Sequence, residues 1–198
     1  MKLKYITFAA LLAGSTAAAQ DMSDFGFSAG VSTLGAVVEG TYAITDRIEA
    51  RGMIVGGLNY SGTETFEDDN GDEYSVDADA QLGGVGLIAD YYMMSGWRLS
   101  GGLFFSTTEL SGTFTGPETF DGDIGFTKDV APMLATGYRY EFRNGVTMAT
   151  ELGAIFSGME VTTTSTDADV LAEVADLNDE LDALKAVPYL SLTVGYQF

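Results

Sequence analysis

Cysteine and histidine are both absent from the 198 residues. Without cysteine there is no disulfide, no thiol nucleophile and no residue to carry a lipoprotein's lipid. Without histidine the usual general base of Ser–His and Asp–His hydrolytic sites is missing, and so is the commonest ligand of catalytic metals. A hydrolase would need a carboxylate-only site, and no pair of acids stands out for that role, so the chain reads as not an enzyme. Basic residues are few: 9 Lys and Arg against 29 Asp and Glu, a formal charge of −20. That balance argues against nucleic acid as a partner.

Long apolar runs are scarce too. One lies at residues 5–12, behind Lys2 and Lys4 and ahead of the small-residue site Ala17-Ala18-Ala19. It is short for a membrane span, which takes about 20 residues. The order basic, apolar, small reads as an export signal over 1–19 that is cleaved, leaving a mature domain over 20–198. The leader holds two lysines and no acid, so the mature charge is two units more negative. Charges or glycines break every later hydrophobic stretch. Any membrane-spanning structure must therefore be a closed sheet, because lipid offers backbone groups no hydrogen-bond partners. A closed barrel also gives an exported chain without disulfides a source of stability, since every strand is paired.

What the chain does have is alternation. Proline is rare (3 residues) and glycine frequent (25), which suits a crowded sheet whose strands bend. The mature sequence divides into short stretches of period 2. Eight are expected: 24–33, 34–44, 47–60, one ending at 93, one starting at 97, 130–142, 146–159 and one from 190 onward. Phe25, Phe27 and Val31 share an outward face, as do Ile48 and Ile54, Leu99 and Leu103, and Leu190, Leu192, Val194, Tyr196 and Phe198. A parity slip at Gly83-Gly84 suggests a bulge. Charged and small residues collect on the other face, so the apolar face should look at lipid.

The connections alternate in length. Tight turns are expected at Thr45-Asp46-Arg47, Met94-Ser95-Gly96 and Arg143-Asn144-Gly145, and long links at 61–76, 107–128 and 160–186. Short periplasmic turns and longer extracellular loops are the habit of outer-membrane barrels. Tyr42, Tyr91, Tyr92, Trp97, Tyr138, Tyr140, Phe142, Tyr196 and Phe198 gather near the short turns and the C-terminus, where an interfacial girdle belongs. The fold expected is all-β: an eight-stranded antiparallel transmembrane β-barrel with short periplasmic turns, long extracellular loops and one amphipathic helix in the last loop.

The leader, the eight strands, the short–long alternation and the ending Val194-Gly195-Tyr196-Gln197-Phe198 resemble small Gram-negative outer-membrane barrels: the OmpA transmembrane domain, OmpX, OmpW and the opacity-type surface proteins. The resemblance implies integral location in the cell outer membrane. It also implies that Tyr196 and Phe198 form the signal read by the barrel-assembly machinery.

Three constellations could carry function. The inward set Glu39, Glu49, Arg51, Asp90, Arg98, Arg139, Glu141 and Glu151 places three arginines among five acids in a lumen only wide enough for side chains. Charges buried there must pair, which suits a salt-bridge plug, with a narrow ion path as the other reading. In the first long link, Asp68, Asn70 and Asp72 stand at i, i+2, i+4, a spacing of oxygen ligands that suits calcium. Asn70-Gly71 favours a type I′ turn, so a hairpin tip is the preferred reading of this segment and calcium the alternative. No other cofactor is expected. Residues 167–185 should form a helix with Val170, Val174, Leu177, Leu181 and Leu184 on one apolar stripe, Asp167 and Asp169 near its start and Lys185 near its end.

Two functions follow as expectations. The first is a surface protein whose barrel is an anchor and structural element, with acidic loops for interaction or adhesion. The second is a narrow cation-favouring channel or a porin-like transporter of small solutes. Partners expected are outer-membrane lipids, lipopolysaccharide, the assembly machinery and an extracellular protein, around a chain that is monomeric.

Overall fold

The computed structural model describes residues 24–67, 73–94, 96–116 and 119–198. The expected leader, and the Asp68, Asn70 and Asp72 calcium candidates, lie outside the described residues.

The described residues form eleven strands and one helix: β1 Phe25–Ser32, β2 Gly35–Thr45, β3 Ile48–Glu67, β4 Glu73–Met94, β5 Trp97–Ser106, β6 Glu109–Thr115, β7 Thr119–Phe126, β8 Val130–Glu141, β9 Val146–Ile155, β10 Met159–Thr163, α1 Ala168–Leu181 and β11 Val187–Gln197. Eight of the strands close a ring. Its antiparallel neighbours run β1, β2, β3, β4, β5, β8, β9 and β11, and β11 returns to β1 with Ala29 opposite Val194 and Ser32 opposite Ser191. Within the ring, closure leaves no strand with a bare edge, which is what an isolated sheet in lipid cannot tolerate.

Period 2 decides the two faces. Along β1 exposure alternates at every residue, with Phe25, Phe27, Ala29 and Val31 outside. Along β2 Val37 and Glu39 are buried between exposed neighbours, and Thr41 is buried next to exposed Gly40. The outer surface of the ring is a belt of exposed apolar side chains that includes Val31, Ile54, Leu87, Leu103, Leu134, Leu152 and Leu192. Near the three short turns this belt becomes aromatic. There Phe25 meets Tyr42 at 4.9 Å between ring centroids, Trp97 meets Tyr138 at 5.6 Å, and Tyr140 meets Phe142 at 4.7 Å. Gly96 and Gly145 sit at turn positions with φ of 82° and 80°, a conformation that costs side-chain-bearing residues energy.

The first two long links differ from expectation: their described residues are largely sheet. β3 and β4 run on past the ring as a hairpin arm, with Asn59 opposite Gln81 and Glu67 opposite Glu73. At Gly83, β4 exchanges its neighbour β5 for β6. Thr107 N–H donates to Gly83 O (3.0 Å), and Gln81 then pairs with Glu109. β9 likewise stops at Ile155, and its continuation β10 pairs with β7 instead of β8. The result is an open five-stranded sheet, in the order β10-β7-β6-β4-β3, standing beyond the long-loop end of the ring.

The irregularity expected at Gly83-Gly84 is a bulge whose extra residues lie across the ladder in β3. Val55 pairs with Gly84 and Leu58 with Leu82, so Gly56 and Gly57 face only Gly83. Gly57 has φ of 88°, which explains why the inserted backbone sits in this strand. Among the described residues, no helix is long and apolar enough to cross a membrane.

Candidate functional site

Two regions collect chemistry: the lumen of the ring and the space between α1 and the open sheet.

The lumen is filled in two tiers. Toward the long-loop end lies an apolar tier of Val37, Met53, Val55, Ile88, Phe104, Met133, Ile155 and Tyr189, each no more than 5% exposed. This is a departure from the sequence reading, which expected the inward residues to be charged and small. Both faces of the strands are apolar at this depth: Phe104 points in and Phe105 out. Alternation of polarity is lost there, and with it the signal that separates inside from outside.

Below this tier is a polar one centred on Arg51. Its Nη1 donates to Glu39 (2.5 Å), its Nε to Asp90 Oδ2 (2.8 Å) and its Nη2 to Glu151 Oε2 (2.7 Å). The three carboxylates come from β2, β4 and β9, so a single guanidinium joins three strands around the ring. Arg98 of β5 donates from Nη2 to the same Glu151 oxygen at 2.7 Å and lies 3.9 Å from Asp90. Two hydroxyls not singled out from sequence complete the cluster: Ser28 donates to Glu39 at 2.7 Å, and Ser100 to Glu151 at 3.3 Å. Arg98 Nε and Glu151 Oε1 alone are buried without a partner among the described residues. Two guanidiniums face three carboxylates, leaving one negative charge in excess.

Arg139 and Glu49 form a separate pair nearer the short turns. Nη1 and Nη2 of Arg139 donate to the two oxygens of Glu49 at 3.0 and 2.9 Å, and the guanidinium stacks 4.8 Å from the centre of the Tyr92 ring. This pair borders a cavity of about 560 Å³ at the short-turn end. Glu141 is a correction. It lies at the end of β8, is exposed, and joins none of the ion pairs among the described residues. Its parity aims it inward, but it stands at the rim, where the turn begins and water is available.

At the other end, α1 begins with Asp167, whose carboxylate accepts from the amides of Asp169 (2.8 Å) and Val170 (3.4 Å). The helix is shorter than the 167–185 expected. It stops at Leu181 with Asp182 as C-cap, so Lys185 lies beyond it and has no place in its last turn. Asn178 fastens the helix to β10. Its amide group accepts from Val161 N–H and donates to Val161 O, both at 2.8 Å, imitating the strand that this edge lacks. Val170, Val174, Leu177, Leu181 and Leu184 all line the space between helix and sheet. No residue of the helix is fully buried, and Leu177 stays 43% exposed.

Tyr196 and Phe198 sit on the outer face at the end of β11, with ring centroids 5.1 Å apart. No cluster of three or more potential metal-ligating side chains occurs among the described residues.

Fold and lumen together define a small barrel of the outer-membrane type, eight strands closed around a packed interior. Solved structures that share this fold include two from one organism. The crystal structure of Acinetobacter baumannii CarO superposes with a TM-score of 0.59 at 18% identity, covering 87% of this chain and 97% of that one. Acinetobacter baumannii CarO2 gives 0.58, also at 18% identity, over 88% and 98%. No protein-family model matches the chain, and no curated protein matches it.

Proposed function

We propose that the chain is an integral outer-membrane protein whose sealed barrel anchors an acidic sheet-and-helix platform at the cell surface, where the platform engages an external partner. The observation that carries this reading is Arg51. Held by carboxylates from three strands and covered by the apolar tier, it occupies the lumen of a ring that has little spare width. The belt of exposed Leu, Val, Ile and Phe supports the location, since a patch of that extent would drive aggregation in water.

In this reading membrane lipids and lipopolysaccharide surround the belt, the short turns face the periplasm, and the assembly machinery reads the strand that ends at Phe198. The closed ring leaves the barrel itself monomeric. A second reading, a narrow cation-favouring channel, draws on the excess carboxylate in the lumen and the cavity at the short-turn end. It requires both tiers to move aside.

The absence of cysteine makes the topology directly testable. Asp176→Cys on α1 should react with a membrane-impermeant maleimide on intact cells. Asn144→Cys in the third short turn should react only after the outer membrane is permeabilised. The opposite pattern would refute surface display.

A further inference from the structure

The space under α1 is a groove with a chemistry of its own. It measures about 1070 Å³, larger than most small-molecule sites, which run from about 300 to 1,000 Å³. Its origin is local. Asn178 ties the helix to β10 at one margin of the open sheet, so the apolar stripe overhangs β7, β6 and β4 without descending onto them. Small residues keep the floor low: Ala78 and Ala80 on β4 and Gly112 on β6 stand where larger side chains would fill the gap. Phe114 and Phe120 close the floor as a stacked pair, 4.7 Å between centroids and 9° between planes.

Apolar contact alone would take many ligands, but charge narrows the choice. The charged side chains beside the groove are those of Glu173 and Glu180 on α1, both acidic, with no lysine or arginine among the described residues that line it; Asp79, between the floor residues Ala78 and Ala80, has the parity of the sheet's other face. Glu173 and Glu180 lie seven residues apart on one side of the helix and flank Leu177. An anionic amphiphile, such as a fatty acid or a phosphorylated lipid, would bring its head group against these carboxylates. A cationic one would pair with them while its apolar body covers the stripe and the stacked rings.

From this combination we infer that the groove between α1 and the open sheet binds an amphiphilic cation, a molecule with a bulky apolar body and an ammonium head. The inference stands whether or not the lumen conducts, because the groove lies outside the ring.

The test is isothermal titration calorimetry of the whole mature chain in nanodiscs of zwitterionic lipid, with empty nanodiscs subtracted. The probe is imipramine, a tricyclic body with an alkylammonium head, set against a tricyclic carboxylate of the same ring size. Saturable one-site binding of the cation, at least about tenfold tighter than the anion, is expected. Ala78→Phe fills the floor from the part of β4 that pairs with β6, beyond the ring, and should abolish binding. Paired Glu173→Gln and Glu180→Gln should weaken the cation by about three- to tenfold and tighten the anion. Barrel integrity in each variant is checked by the shift in gel mobility between unheated and boiled samples. No saturable binding, equal affinity for cation and anion, or full binding in a folded Ala78→Phe variant would overturn the inference.

Discussion

Arg51 and Asp90, 39 residues apart in sequence, meet as a bidentate pair inside the barrel. The guanidinium Nε and Nη2 donate to the two carboxylate oxygens at 2.8 and 3.1 Å. Both side chains are fully shielded from solvent. Such a pair is costly to bury and more costly to break, because the partner left behind cannot regain water.

Replacing Arg51 by Ala therefore strands Glu39, Asp90 and Glu151 without their shared cation. The expected loss is about 3–5 kcal/mol, read as a lower urea midpoint in refolded protein. Arg51→Lys should fall between wild type and alanine, since an ammonium cannot reproduce the planar fork that serves Asp90 while also reaching Glu39 and Glu151.

Glu39→Gln makes the complementary case. It removes the excess negative charge and retains a carbonyl for Arg51 and an amide for Ser28, so the change should stay within about 1 kcal/mol of wild type. A loss as large as that of Arg51→Ala, measured the same way, would mean that the cluster needs all three carboxylates.

Arg139→Ala should cost less than Arg51→Ala, about 1–2 kcal/mol, because its pair with Glu49 keeps some access to water. Its urea midpoint should also depend less on salt than that of wild type.

Asn178→Ala removes both hydrogen bonds to Val161. Local loosening of about 1–3 kcal/mol is expected, visible as faster amide exchange at Val161 and faster proteolysis within α1. The heat-induced gel shift of the barrel should not change, since α1 contributes nothing to the ring.

Phe198→Ala should lower the amount of barrel assembled in cells while leaving refolding in detergent intact, because the ring closes through β1 and β11 without this side chain. Equal losses in both settings would assign Phe198 to stability and not to recognition by the assembly machinery.

The ring was legible because its physics is local. Leu190, Leu192 and Val194 alternate with Ser191 and Thr193, and turns such as Arg143-Asn144-Gly145 punctuate the strands. The five-stranded extension was not. β6 and β7 carry their apolar face on Leu110, Phe114, Phe120, Ile124 and Phe126, among glycines and acids that read as loop. Their partner is the far end of β4, a relationship that parity cannot reveal. Parity did bring Glu39, Asp90, Arg98 and Glu151 to the inside with Arg51. It specifies a face but not a depth, and so it also pointed Glu141 inward from the rim. The apolar tier stayed hidden because residues such as Phe104 and Phe105 are apolar on both faces.

The central claim is that the Arg51 cluster and the tier above it seal the barrel. Single-channel recording of refolded residues 20–198 in a planar bilayer addresses it most directly, with folding and insertion verified by gel shift and protection from protease. A sealed lumen should be silent across the voltage range, and Arg51→Ala should be noisier than wild type. Discrete, cation-selective openings from the wild-type chain would contradict the sealed barrel and make the channel its function.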